Sequence, residues 1–206
     1  MRFDVVFFDF DGTLIDSAGA KREAFFRIFP STAEHRATVA TVLDADPEAS
    51  RHVVIPRMVA AIQGRGLPLP AGRTAADLVR MYGEEALALA GRCPEMAGAE
   101  AMLRRLAGKA YRVIVSVTPQ PDLETLLARR GWRDLVDEVH GFPAVKAEVV
   151  NRVLADRGID PGRAIVVGDG TGDRAAAEAN GCAFFAVGPD GLAGLPSMLG
   201  LEHVCG

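Results

Sequence analysis

Residues 5–17 of the chain read VVFFDFDGTLIDS. The four apolar residues at the start are typical of a strand buried on both faces of a parallel sheet. Two carboxylates follow, Asp9 and Asp11, and then Gly12, which permits a tight turn. Because ligands of open parallel sheets bind beyond the carboxyl ends of the strands, this stretch predicts both a sheet and a functional site at its edge.

Similar apolar segments occur in the second half of the chain. They cover residues 113–115, 164–167 and 183–187, with a weaker candidate strand at 138–141. The segments of helical composition between and after them are residues 123–130, 147–157 and 174–180. Strands that alternate with helices predict an α/β fold with a Rossmann-like parallel sheet and right-handed crossovers.

A long insertion follows the first strand. About eighty residues without a strand pattern separate it from the helix that precedes the second strand. The segments of this insertion with helical composition are residues 20–29, 32–43, 49–63 and 74–90, which together predict a small helical bundle. The expected domains are an α/β core of residues 1–16 and 95–206 and a helical domain of residues 17–94.

Polar residues end the other predicted strands as well. Ser116 and Thr118 follow the second strand, and Asp169 follows a later one. Since parallel strands end at a common edge, we expect Asp9, Asp11 and Asp169 to converge there. Converging carboxylates repel one another, so a bound hard cation is expected, and Mg²⁺ suits an oxygen-rich site. Such a cation would also neutralise the charge of an incoming phosphate.

The segment from Asp9 to Ser17 resembles the signature DxDGTLxDS of the haloacid dehalogenase (HAD) superfamily, and three further motifs of that family follow in order. The resemblance spans the whole chain. It implies a magnesium-dependent phosphatase in which Asp9 attacks phosphorus and forms an aspartyl-phosphate. It also implies that Asp11 protonates the leaving alcohol and later activates water. In this family the two aspartates also bind the metal, the second through its backbone carbonyl, and Gly12 belongs to the substrate site.

The second motif is matched at the end of the second predicted strand. Ser116 corresponds to the hydroxyl that binds a phosphate oxygen, and Val117 and Thr118 belong to the same substrate-binding stretch. Thr118 and Pro119 also have the pattern of a helix N-cap and a first-turn proline, which predicts a helix N-terminus beside the phosphate.

The third and fourth motifs lie further along the chain. Lys146 corresponds to the ammonium group that offsets negative charge on the nucleophile and the phosphoryl group. Many relatives have proline after this lysine, whereas here Ala147 follows. Asp169 and Asp173 match the GDxxxD motif, which implies that Asp169 binds magnesium and Asp173 orients the outer shell of ligands.

The helical insertion resembles the C1 caps of phosphoglycolate phosphatases and β-phosphoglucomutases, which close over the site and exclude water. The substrate expected from the resemblance is a small phosphorylated metabolite. A phosphomutase is an alternative, but Lys21 lies where β-phosphoglucomutases have a histidine, which favours hydrolysis. A second alternative is a non-catalytic binding protein on the same fold. The intact set of carboxylates and Lys146 argues against it.

Composition limits the partners and the compartment. The net charge of −4 argues against nucleic-acid binding. Cys93, Cys182 and Cys205 form no CxxC pair, which predicts neither a disulfide framework nor structural zinc and favours a reducing cytoplasm. No apolar run approaches the ~18 residues of a membrane span, so no membrane partner is expected. The sequence does not decide the oligomeric state, which is either a monomer or a homodimer.

Overall fold

The computed structural model describes residues 1–46 and 50–201. Ala49, where the third predicted helix begins, and Cys205 lie outside these ranges. The chain forms two compact units. One unit comprises Met1–Ser17 and the residues from Cys93 onward, and the other comprises Ala18–Arg92.

The described residues contain five strands, which form one sheet, and nine α-helices. The strands are β1 (Val5–Phe8), β2 (Tyr111–Pro119), β3 (Glu138–Phe142), β4 (Ala164–Gly168) and β5 (Ala183–Ala186). The helices are α1 (Ala18–Arg27), α2 (Ala33–Ala45), α3 (Arg51–Gly64), α4 (Ala75–Ala90), α5 (Ala99–Leu106), α6 (Gln120–Arg130), α7 (Lys146–Arg157), α8 (Thr171–Ala179) and α9 (Leu195–Met198). All neighbouring strands pair in parallel, which confirms the predicted α/β fold with a Rossmann-like sheet.

Strand β1 lies at the centre of the sheet, whose strand order is β3-β2-β1-β4-β5. All four of its residues are buried, and Phe8 pairs with Ile114 of β2 on one side and with Val167 of β4 on the other. After β1, strands β2 and β3 are added on one side of β1, and strands β4 and β5 are added on the other side. The direction in which strands are added therefore reverses between β1 and β4. Ligands of open α/β sheets bind at such a reversal.

One face of the sheet packs against α7. Because side chains alternate along a strand, Val5 and Phe7 of β1 lie on the same face as Val113 of β2 and Val166 of β4. These residues share one buried cluster with the valines at positions 149, 150 and 153 of α7. Full burial of each such side chain contributes about 1.5–3 kcal/mol, so this layer holds the start of α7 at the edge of the sheet.

The second unit consists of helices α1–α4 around a core of their own. Its buried residues include Phe25, Val39, Ile55 and Leu78, one from each helix. The N-cap residues of α2 and α4 are Thr32 and Thr74, whose hydroxyls accept hydrogen bonds from backbone N–H groups three residues later. Among the described residues, no helix is long and apolar enough to cross a membrane.

A partly buried ion pair joins β2 to the segment before β3. The Arg112 guanidinium donates to both carboxylate oxygens of Asp137, at 3.0 and 3.1 Å, and the Arg112 backbone N–H donates to the same carboxylate at 2.8 Å. Partial burial alone would raise the pKa of Asp137, but the hydrogen bonds and the charge of Arg112 outweigh it and lower the pKa. The pair therefore stabilises the register of β2 against β3 when Asp137 is ionised.

We expect Asp137→Asn to lower the free energy of unfolding at pH 7 by about 1–3 kcal/mol, because Arg112 stays buried without its charged partner. The lowered pKa means that this stabilisation is lost as the pH falls, so the variant and the wild type should converge below about pH 4. Urea denaturation at pH 7 and at low pH measures both effects. The exposed carboxylate Asp134 provides the control variant Asp134→Asn, and equal losses in the two variants would contradict the role of the ion pair.

Candidate active site

Three carboxylates converge where β1 and β4 end. Asp9 directly follows β1, Asp169 directly follows β4, and Asp173 lies in the first turn of α8. One oxygen from each lies within 4.8 Å of the others. The backbone N–H of Asp9 donates to the carbonyl of Val167 at 2.9 Å, so the pairing with β4 continues to the carboxylate itself. The convergence of Asp9 with Asp169 was predicted from the strand ends.

Two glycines permit this close approach. A Cβ on Gly12 would lie 2.1 Å from Oδ2 of Asp169, and its φ of +74° also disfavours other residues. A Cβ on Gly168 would lie 2.2 Å from Cγ of Asp173. Any side chain at either position would therefore displace one of the carboxylates.

Lys146, the first residue of α7, supplies a positive charge to the cluster. Its Nζ lies 3.0 Å from Oδ1 of Asp9 and 2.6 Å from Oδ1 of Asp173. Burial of the ammonium opposes its charge, but the two carboxylates outweigh this effect and raise the pKa of Lys146. Lys146 therefore remains charged and offsets part of the repulsion between the carboxylates.

Asp9 is the most strongly perturbed member of the cluster. Burial raises its pKa to about 7, and the charge of Asp173 adds to this, whereas Lys146 acts in the opposite direction. Its buried Oδ1 accepts no hydrogen bond from any residue that the structure describes, although the Lys146 ammonium is within ion-pair distance. Burial also raises the pKa of Asp169.

The cluster has the properties of a site for a hard divalent cation. Three carboxylates face one ammonium, which leaves an excess of negative charge in a partly buried place. An oxygen-only donor set with an unsatisfied buried oxygen fits Mg²⁺, which prefers carboxylate ligands. Asp9, Asp169 and Asp173 are the side chains that could hold such an ion.

The carboxylate of Asp11 is not one of the three whose oxygens lie within 4.8 Å of one another, although its charge contributes to the raised pKa of Asp169. Its Oδ1 accepts a hydrogen bond from Ser17 Oγ at 2.7 Å, and its Oδ2 accepts one from Thr118 Oγ1 at 2.5 Å. Ser116 Oγ is 3.5 Å from the same Oδ2. Hydroxyl groups therefore hold the Asp11 side chain, and binding of a metal by its backbone carbonyl stays a prediction.

The predicted helix start after Ser116 is wrong by one residue, because the N-cap is Pro119 and not Thr118. Strand β2 continues to Pro119, and α6 begins at Gln120 with Pro121 in its first turn. Thr118 is therefore not the N-cap. Its backbone N–H instead donates to Ser116 Oγ at 3.1 Å, and Val117 between them is 63% exposed. The extended backbone continues because a residue that precedes a proline is biased away from helical dihedrals.

Three residues near the site were not singled out in the sequence. Thr13 is fully buried with its hydroxyl 3.5 Å from Oδ1 of Asp169, Ser17 donates to Asp11, and Gly168 makes room for Asp173. All three belong to the segments around the first and fourth motifs. Their positions within those motifs could have indicated them, but their contacts depend on how β1 and β4 are aligned.

The model of the haloacid dehalogenase-like hydrolase family matches residues 3–181 of the chain. The protein belongs to this family. No curated protein sequence matches the chain of this HAD hydrolase.

Solved structures share its fold. YfnB from Bacillus subtilis, solved bound to magnesium, has a TM-score of 0.75 at 17% identity, with 97% of this chain and 100% of YfnB covered. A predicted phosphoglycolate phosphatase from Haemophilus somnus has a TM-score of 0.70 at 20% identity, with 91% and 86% covered. A variant of CbbY from Rhodobacter sphaeroides in complex with xylulose 1,5-bisphosphate has a TM-score of 0.63 at 19% identity, with 90% and 86% covered. At these identities the likeness shows the fold alone.

In the HAD hydrolase we expect Gly168→Ala to weaken magnesium binding at least about tenfold and to cost about 1–3 kcal/mol of stability, because its Cβ would collide with Asp173. Calorimetric titration with Mg²⁺ and thermal denaturation measure the two effects. Gly172→Ala is the matched control, since a Cβ there would meet no atom within 4 Å. Unchanged magnesium affinity in Gly168→Ala would contradict a role for Asp173 in the metal site.

Without magnesium, we expect Asp9→Asn to raise the free energy of unfolding at pH 8 by about 1–3 kcal/mol, because the amide carries no buried charge. A raised carboxyl pKa means that the folded protein binds this proton more readily than the unfolded chain does. The stability of the wild type should therefore fall relative to the variant as the pH rises from about 4 towards the folded pKa of about 7.

Thermal denaturation across this pH range measures the difference, with Asp190→Asn as an exposed control. Added magnesium should reverse the order, since a ligand stabilises the form that binds it. A variant less stable than the metal-free wild type at pH 8 would show that the Lys146 ion pair outweighs the burial of Asp9.

Proposed function

We propose that this HAD hydrolase is a magnesium-dependent phosphatase that hydrolyses a small phosphomonoester through an aspartyl-phosphate on Asp9. One observation carries the proposal: a buried carboxylate lies within ion-pair distance of Lys146 and converges with two further carboxylates at the strand-order reversal. Family membership supports hydrolysis as the reaction class.

Asp9 acts as the nucleophile. A carboxylate oxygen attacks phosphorus, the bond from phosphorus to the ester oxygen breaks, and the phosphoryl group is transferred to Asp9. Lys146 offsets the negative charge of both the carboxylate and the phosphoryl group, which would otherwise repel each other. The distance of 3.0 Å between Nζ and Oδ1 of Asp9 supports this role.

Asp11 acts as the general acid and then as the general base. Its protonated carboxyl group donates a proton to the leaving alcohol, and the resulting carboxylate later accepts a proton from the water that attacks phosphorus. That second attack breaks the bond between phosphorus and Asp9, releases inorganic phosphate and restores both side chains. The hydroxyls of Ser17 and Thr118 orient Asp11 for these transfers.

The stretch from Ser116 to Thr118 binds the phosphate, with the Ser116 hydroxyl and backbone N–H groups as donors, and Gly12 borders the same space. Asp9, the backbone carbonyl of Asp11 and Asp169 hold magnesium, and Asp173 orients its outer ligands. When bound, the ion neutralises charge on the phosphate and on the carboxylates. The convergence of Asp9, Asp169 and Asp173 within 4.8 Å supports this assignment.

The helical unit, Ala18–Arg92, serves as a C1 cap that selects the leaving group. The substrate is a small phosphorylated metabolite in the cytoplasm, and the protein acts as a monomer or homodimer without nucleic-acid or membrane partners. The bisphosphate in the CbbY structure supports this substrate class, because it shows that a protein of the same fold binds a phosphorylated small molecule.

Phosphate release from a panel of phosphomonoesters, including phosphoglycolate and sugar phosphates, tests the proposal in the presence of magnesium. We expect turnover by the wild type and a loss of at least about 10³-fold in Asp9→Asn, because the variant has no nucleophile. Asp190→Asn, an exposed carboxylate, should keep the wild-type rate. Near-normal turnover by Asp9→Asn would contradict the covalent mechanism, and isomerisation of a sugar phosphate without release of phosphate would indicate a mutase.

A further inference from the structure

The stretch from Ser116 to Thr118 is a bulge in the sheet. Strands β2 and β3 pair regularly up to Val115 opposite His140, and the next pair is Pro119 opposite Phe142. Three residues of β2, positions 116–118, therefore lie opposite the single residue 141 of β3. Such an insertion interrupts the backbone hydrogen bonds between the two strands and turns the extra residues out of the ladder.

The side chain of Gln120 bonds to β3 at this interruption. Its Oε1 accepts a hydrogen bond from the backbone N–H of Gly141, and its Nε2 donates to the carbonyl of Val139 at 3.2 Å. Nε2 also donates to Oε1 of Glu124, one turn further along α6, at 3.0 Å. A carboxamide offers one acceptor and one donor group, as a peptide unit does, so it can replace the backbone partner that the bulge removes. Val139 and Gly141 are buried, where an unpaired backbone group would be costly.

Gly141 allows the backbone of β3 to approach the end of the bulge closely. A Cβ at this position would lie 2.6 Å from the carbonyl oxygen of Thr118 and 2.7 Å from the backbone N and Cα of Gln120. The backbone of β3 therefore packs directly against the end of the bulge. A side chain at position 141 would push residues 118–120 away from their present position.

We propose that Gln120 is a positioning residue for the phosphate-binding bulge of residues 116–118. Its carboxamide replaces the missing peptide contacts, fixes the point at which β2 rejoins β3, and so holds Ser116 and Thr118 next to Asp11. The inference rests on the proposed function, because the bulge is the part of that site assigned to the phosphate. A bulge held in one conformation binds phosphate without first having to become ordered.

Gln120→Met tests this role, since methionine has a similar length but neither donates nor accepts as an amide does. Calorimetric titration with inorganic phosphate and magnesium, well below the melting temperature of each variant, should show a loss of affinity of about tenfold or more. Hydrogen exchange of the amides at 116–118 and 141 should become faster. Gln63→Met, on an exposed position of α3, is the matched control and should change neither quantity.

Gly141→Ala tests the same inference by a different physical route, because it displaces the end of the bulge by steric contact and leaves the Gln120 side chain in place. We expect a similar loss of phosphate affinity. Wild-type phosphate affinity in Gln120→Met would overturn the inference, whatever its melting temperature and exchange rates. Failure of the wild type itself to bind phosphate would contradict the proposed function. In that case, faster exchange of residues 116–118 in Gln120→Met would still support the role of Gln120 in holding the bulge, and unchanged exchange would contradict it.

Discussion

The site depends on the concentration of negative charge at the carboxyl ends of β1 and β4. Three carboxylates have oxygens within 4.8 Å of one another. One of them, Asp9, is buried and directly follows the fully apolar strand β1 in the chain. Burial raises the pKa of Asp9 to about 7, so the charged form is unfavourable without compensation. Lys146 provides part of that compensation, because α7 begins at the edge of the sheet and its first residue places an ammonium close to both Asp9 and Asp173.

The backbone around the site approaches these groups more closely than a side chain would allow. A Cβ would meet Asp169 at Gly12, Asp173 at Gly168 and the end of the β2 bulge at Gly141, in each case at less than 3 Å. The glycines therefore do more than permit turns. They let the carboxylates and the groups that we propose to bind phosphate, which come from separate elements, lie close together.

Prediction from sequence succeeded where the pattern was unambiguous. The apolar runs of β1 and β4 end in charged residues, and their predicted bounds agree with the structure to within one residue. Strand β2 was predicted as only three residues because its later part contains Ser116, Thr118 and Pro119, which are typical of a helix start. Those residues stay extended and form a bulge opposite β3, and no local sequence signal describes their contact with Gly141, which lies more than twenty residues away.

The sequence by itself determined the family, the parallel α/β sheet and the set of polar residues that the motifs bring to the strand ends, because apolar periodicity and short motifs are local properties of the chain. Only the tertiary structure decided which of these residues meet. It gave the carboxylate of Asp11 hydroxyl partners, paired Lys146 with Asp173, and placed the Gln120 side chain against β3. Each of these contacts depends on the order and register of strands that are far apart in the chain, which no local pattern encodes.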